Sequence, residues 1–151
     1  EAYPKWILKI IGTGENEKQL KDLILKNDLS KNIFIIPPKK DIEKEFFDSS
    51  IFVLTSKYEG FGMVLAEAMA CGVPCVSFDC PSGPRDIITD GEDGFLVENG
   101  NIQEYKKRLI TLIDDREKLL LMGSNAKNNI QKFLDIKVEQ NWNNLLDKGE
   151  L

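Results

Sequence analysis

Ile51-Phe52-Val53-Leu54-Thr55-Ser56-Lys57-Tyr58-Glu59-Gly60-Phe61-Gly62-Met63-Val64-Leu65-Ala66-Glu67-Ala68-Met69-Ala70-Cys71-Gly72-Val73-Pro74-Cys75-Val76-Ser77-Phe78 is the stretch that decides the fold. Its two ends, Ile51–Leu54 and Pro74–Phe78, are short apolar runs of the kind found in strands buried on both faces. Residues 63–71 between them predict a helix, closed by Gly72 with Pro74 just beyond. Strand, helix and strand in such close succession make the repeating unit of a parallel sheet.

The same alternation extends in both directions. Toward the amino end, Trp6–Ile11 predicts a strand ended by Gly12-Thr13-Gly14. Leu20, Leu23, Ile24 and Leu25 lie at helical spacing within 15–28. Asn32–Ile36 predicts a second strand, stopped by Pro37-Pro38, and Asp41 is a good N-cap for a helix reaching Ser49. Toward the carboxyl end, Gly83-Pro84 opens a short helix near Arg85–Ile88, and Phe95-Leu96-Val97 is a fifth strand. Helices are expected over 101–114, 115–133 and 135–148. Leu109, Leu112, Ile113, Leu119, Leu120 and Met122 are expected in the core. The fold class is therefore α/β: a Rossmann-like, doubly wound parallel sheet with helices on both faces and a helical C-terminal tail. Ligands in this class sit beyond the carboxyl ends of the strands.

Composition narrows the function. The chain has 151 residues, which suits one domain, and 42% are hydrophobic, enough for a core. Lys+Arg number 20 against Asp+Glu 25, a net charge of −5 that disfavours nucleic acid as a partner. Histidine is absent, so His triads, His bases and His metal ligands are excluded. Cys71, Cys75 and Cys80 fit no zinc pattern and no disulfide framework, and their plainest reading is small buried residues in a reducing cytosol. No apolar run approaches the ~20 residues that span a bilayer, so no membrane span is expected. The opening Glu1-Ala2-Tyr3-Pro4-Lys5 lacks an initiator Met and leads almost at once into a strand, as in a piece of a longer protein.

Three places offer chemistry. Gly12-Thr13-Gly14 lacks the third glycine of a dinucleotide fingerprint, because Glu17 stands there, so a tight strand-to-helix turn is the plainer reading. Gly14 still leaves room for a ligand to come close. Glu59-Gly60-Phe61-Gly62 is stronger, for it follows a strand and begins a helix. Free N–H groups and the helix dipole at that point suit a phosphate. Glu67 lies about one turn inside the helix, ~6–8 Å from its start. A charge within Val64–Ala70 is expected to be costly unless hydrogen-bonded, as to ribose hydroxyls. The plainer alternative has Glu59 capping its helix and Glu67 facing water. Asp79–Asp86 is third, and Arg85 there has two readings: an anion contact, or an ion pair with Asp79 or Asp86.

Glu59-x7-Glu67 with Gly60-Phe61-Gly62 between resembles the signature of retaining glycosyltransferases of the GT-B fold, glycosyltransferase family 4. The resemblance also takes in Ile10–Gly14, Ala68–Val76, Asp90–Val97 and the closing Val138-Glu139-Gln140-Asn141-Trp142. It implies the nucleotide-sugar-binding half of such an enzyme. By that resemblance Glu59 is the catalytic residue beside the donor sugar, and Glu67 binds the ribose. Gly60, Phe61, Gly62, Met63 and Val64 approach the sugar and diphosphate, Gly14 lines the donor, and Pro38 edges the base. The implied donor is a nucleotide diphosphate sugar, UDP-sugar first, with no metal and no other cofactor. The sequence shows no Asp-x-Asp element, in agreement.

Two departures stand out. The family usually shows Gly-x-x-Glu after the fourth strand, where this chain has Gly83-Pro84-Arg85-Asp86. The family's domain also begins one strand earlier, followed by an Arg and a Lys not found here before Trp6. The resemblance thus implies one donor-binding domain over 1–151, lacking its first strand and the N-terminal domain that binds a glycan or lipid-linked acceptor. The parent is expected to transfer a hexose or N-acetylhexosamine with retention in polysaccharide biosynthesis, in the cytoplasm or at the inner face of the membrane. Alternatives are a non-catalytic nucleotide-sugar-binding or interaction module and a GT-B sugar-nucleotide epimerase.

Overall fold

The computed structural model describes residues 3–133. The chain divides into two compact units, Glu1–Ile42 and Glu43–Leu151.

The first unit is a single β-α-β element: β1 (Leu8–Ile11), α1 (Glu17–Lys26) and β2 (Ile33–Ile36). The strands pair in parallel, Leu8 opposite Ile33 and Ile11 opposite Ile36. Asn32 ties their entrances together, its side-chain amide donating to the carbonyls of Pro4 and Trp6, both at 2.9 Å. Lys21 donates to Glu17 at 2.6 Å, one turn along α1. That hydrogen bond, and the charge behind it, hold the Glu17 carboxyl below its usual pKa. No residue of α1 is fully buried, and Leu20, Leu23 and Leu25 all remain accessible. Two strands and one helix bury little apolar surface, so this unit has a thin core.

The second unit runs α2 (Glu43–Phe47), β3 (Phe52–Leu54), α3 (Met63–Ala70), β4 (Cys75–Asp79), α4 (Pro84–Ile87), β5 (Gly94–Glu98), α5 (Ile102–Asp114) and α6 (Arg116–Asn129). A 3-10 turn, Ile130–Phe133, follows α6. Its strands form one parallel sheet in the order β3-β4-β5. Alternation along the central β4 divides the two layers. Val76 and Phe78 join Phe95, Val97, Tyr105, Leu112 and Met122 in the core beneath α5 and α6. Cys75 points the other way, its thiol reaching the Leu65 carbonyl of α3 at 3.8 Å. Both faces are thus covered, which is why Cys75 through Phe78 are all buried, Ser77 included, its hydroxyl donating to the Phe78 carbonyl at 2.9 Å.

Side-chain caps start the two long helices. Asn101 accepts from the Glu104 N–H and Asp115 from the Lys118 N–H, as N-cap residues do. Tyr105 sends its hydroxyl from α5 to the Val76 carbonyl of β4 at 2.6 Å. Burial pushes its pKa well up.

The predicted elements within the described residues are all present, and the strands pair in parallel, β1 with β2 in the first unit and β3-β4-β5 in the second, as the α/β doubly wound class expects. One expectation is corrected. Leu120 is 62% exposed. α6 and the turn after it pack through Leu119, Met122, Ala126 and Ile130, an i, i+3, i+7, i+11 stripe that leaves Leu120 on the open side. The helix expected over 135–148, with Val138–Trp142, lies outside the described residues.

Candidate functional site

The Glu59–Gly62 loop leaves the carboxyl end of β3 and turns into α3 through Gly62. This glycine is the N-cap, at φ 84° and ψ 42°, a left-handed conformation that side chains other than glycine's disfavour. No side chain caps the helix. The Leu65 N–H is taken by the Gly62 carbonyl at 2.8 Å. The N–H groups of Met63 and Val64 have no backbone or capping partner among the described residues. The helix dipole adds partial positive charge at this end.

α3 buries Leu65, Ala68 and Met69. At 100° per residue, Glu67 stands roughly 200° from Leu65 and therefore faces solvent, on the side shared with exposed Met63. The expectation of a costly buried charge at Glu67 is thereby corrected: the carboxylate is hydrated and needs no partner. Glu59 is half-buried and is not the helix cap, since Gly62 holds that position. Neither glutamate enters an ion pair among the described residues.

The β4–α4 loop packs against the same segment. Gly83 has φ 90° and ψ −68°. A Cβ there would lie 2.1 Å from the Phe61 carbonyl oxygen, so only a glycine lets the two backbones meet. The Asp86 carboxylate accepts from the Gly83 N–H at 3.3 Å. Arg85 grips Asp79 with both prongs, Nε to Oδ1 at 2.9 Å and Nη2 to Oδ2 at 2.8 Å. That bidentate hydrogen bonding raises the Arg85 pKa, and of its two readings the one seen here is the ion pair, with Asp79. The Phe61 ring meets the Phe133 ring edge-on, centroids 5.6 Å apart.

A hollow of about 300 Å³ opens among Lys57, Tyr58, Pro81 and Asn99. These residues follow β3, β4 and β5, so the hollow lies on the carboxyl rim of the sheet. Asn99 donates to the Lys57 carbonyl across it at 3.4 Å. Pro81 lies in the Asp79–Asp86 stretch already named, whereas sequence reading does not single out Asn99 or Phe133. The only signal for Asn99 is its position just beyond a strand.

Gly14 and Pro38 belong to the first unit. Gly12-Thr13-Gly14 makes the tight turn expected of it, closed by the Glu17 N–H on the Gly14 carbonyl at 3.1 Å. Beside it lies a hollow of about 280 Å³, and a Cβ on Gly14 would meet nothing within 4 Å. Pro38 is exposed beyond β2. The second unit brings Glu59, Gly60, Phe61, Gly62, Met63, Val64 and Glu67 together on one loop and helix.

Cys75 and Cys80 are buried and Cys71 half-buried, and all three are free thiols. Burial pushes the Cys75 thiol far up, so it is an inert core residue. Among the described residues no His, Cys, Asp or Glu cluster of three or more could hold a metal. No described helix is long and apolar enough to cross a membrane.

Residues 1–129 match the model of the glycosyl transferases group 1. An uncharacterized glycosyltransferase of Haemophilus influenzae is 37% identical over 146 residues, covering 97% of this chain and 41% of the relative. The poly(ribitol-phosphate) alpha-N-acetylglucosaminyltransferase of Staphylococcus aureus is 32% identical over 139 residues, covering 91% of this chain and 28% of its own. The crystal structure of Anabaena HepE in complex with UDP-glucose superposes with a TM-score of 0.81 at 28% identity, covering 94% of this chain and 41% of that one. The chain thus spans about two fifths of the Haemophilus relative's length.

Proposed function

The chain belongs to the glycosyl transferases group 1 family, and from this premise we propose that it is the donor-binding domain of a retaining glycosyltransferase. It binds a nucleotide diphosphate sugar, UDP-sugar first. The parent moves a hexose or N-acetylhexosamine to a hydroxyl of a glycan or lipid-linked acceptor in polysaccharide biosynthesis. Acceptor binding falls to sequence outside this span.

The observation that carries the reading is the uncapped start of α3 with Glu67 on its open side, one turn in. Met63 and Val64 N–H groups meet the diphosphate, where they stabilise the charge that grows as the glycosidic bond breaks. Four residues on, ~6 Å along the axis, Glu67 accepts from the ribose hydroxyls. Backbone at Gly60, Phe61 and Gly62 lies against the sugar, which Glu59 orients. In this proposal the diphosphate is held by N–H groups and cations, with no metal. UDP-glucose in the HepE structure supports the donor class, and the Staphylococcus relative's name supports an N-acetylhexosamine and an alpha product. Free cysteines support a cytoplasmic setting.

Ligand-observed NMR with UDP-, GDP- and ADP-sugars tests it. The expected result is saturation transfer to the ribose of a UDP-sugar, lost in Glu67→Ala. Transfer that survives in Glu67→Ala, or none from any donor to the folded wild type, rejects the reading.

A further inference from the structure

The Glu59–Gly62 loop is not held by its own side chains. Gly62 has no capping hydrogen bond to give, and Phe61 is 37% exposed. Two contacts from distant parts of the second unit fix it. One is Gly83, whose bare Cα lies against the Phe61 peptide: a Cβ would stand 2.1 Å from its oxygen, 2.5 Å from its carbonyl carbon and 3.0 Å from its Cα. The other is Phe133, whose ring packs edge-on against Phe61 at 74°. α4 adds support through Ile87, whose Cδ1 lies 3.8 Å from where a Gly62 Cβ would be.

We infer that Gly83 and Phe133 are positioning residues that set the Gly60–Gly62 backbone for the donor, the first through the Phe61 peptide and the second through its ring. This rests on the reading of that loop as the donor site. The Asp86 carboxylate, accepting from the Gly83 N–H, steadies the glycine itself. A methyl at position 83 must drive the Phe61 carbonyl away by more than about 1 Å before the contact becomes an ordinary one. Loop and helix start are continuous, so the shift carries to the Met63 and Val64 N–H groups. Losing the alignment of charge-assisted hydrogen bonds of this kind costs roughly tenfold or more in affinity. Losing the ring pair at Phe133 costs about two- to tenfold.

The test uses the full chain and two readouts on wild type, Gly83→Ala, Phe133→Ala and Phe133→Tyr. Amide chemical shifts of Phe61, Gly62 and Met63 without ligand report the loop, and UDP titration reports affinity. The expected result is displaced loop amides and weaker UDP binding in Gly83→Ala and Phe133→Ala, with β4 and β5 amides unmoved. Phe133→Tyr, which keeps the ring, restores both readouts. Unmoved loop amides in both variants, or moved amides with unchanged affinity, overturn the inference. If Gly83→Ala fails to fold, the Phe133 pair decides: wild-type affinity in Phe133→Ala overturns it. Failure of the site reading looks different, since the wild type then binds no nucleotide. The loop amides alone then decide whether Gly83 and Phe133 set the backbone.

Discussion

The Asn129 side-chain amide, at the end of α6, donates to the Asp93 carboxylate at 3.0 Å. Asp93 is fully buried and accepts a second hydrogen bond, from the Thr89 N–H at 2.8 Å. One carboxylate thus fastens α6 to the turn that feeds β5, and Asn125 adds a bond to the Glu92 carbonyl at 3.0 Å.

Asp93→Ala removes the buried acceptor that two part-buried hydrogen bonds share. The expected loss is about 1–3 kcal/mol in urea unfolding, more than the ~1 kcal/mol of an average hydrogen bond, because two bonds to one carboxylate go together. Asn129→Ala leaves Asp93 its Thr89 partner and should cost less.

Tyr105→Phe deletes the hydroxyl that reaches Val76 from α5. Denaturant unfolding should show a loss of about 0.5–1.5 kcal/mol. A loss near zero would mean that the buried carbonyl finds another partner.

Alkali should destabilise the second unit in a definite window. Folding raises the pKa of Cys75 above its ordinary 9.0 and that of Tyr105 above its ordinary 10.0, mainly through burial. The unfolded chain therefore gives up these protons first. Stability is fully present below pH ~9 and falls as pH rises through the range where only the unfolded state ionises. A Cys75→Ala, Tyr105→Phe double variant should show a shallower slope between pH 9 and 11 in unfolding measurements.

Leu112 and Leu120 lie on consecutive helices and make a controlled pair. Leu112 is fully buried, so Leu112→Ala should cost about 2–5 kcal/mol. Leu120 is 62% exposed, so Leu120→Ala should stay within about 0.5 kcal/mol. Equal losses would reject the assignment of the α6 stripe.

Glu67→Gln separates function from stability. An exposed residue that enters no ion pair among the described residues should leave the unfolding free energy within about 0.5 kcal/mol. UDP affinity should nevertheless fall, as titration would show.

The elements were legible because each leaves a local mark. Apolar runs gave the strands, Gly72 and Pro74 closed α3, and Gly83-Pro84 opened α4. The candidate loop was legible for the same reason, since its glycines and glutamates lie within one strand-to-helix turn. Long-range contacts leave no such mark. Nothing in the sequence says that Gly83 meets Phe61, that Phe133 meets the same residue, or that Asn129 reaches Asp93. Glu67 was misjudged from its apolar neighbours, because hydrophobicity along the chain ignores which side of α3 turns inward. Leu120 was misplaced likewise, being one residue off the stripe that packs.

Strand order in the second unit's sheet is also chain order: β3, then β4, then β5. The sheet can therefore grow outward in the direction in which a ribosome makes it, each strand docking on one already in place. β4 waits as a bare edge only until β5 is synthesised, roughly one to five seconds at cellular elongation rates. That short wait limits the time during which the most buried strand of the unit is open to mispairing with another chain.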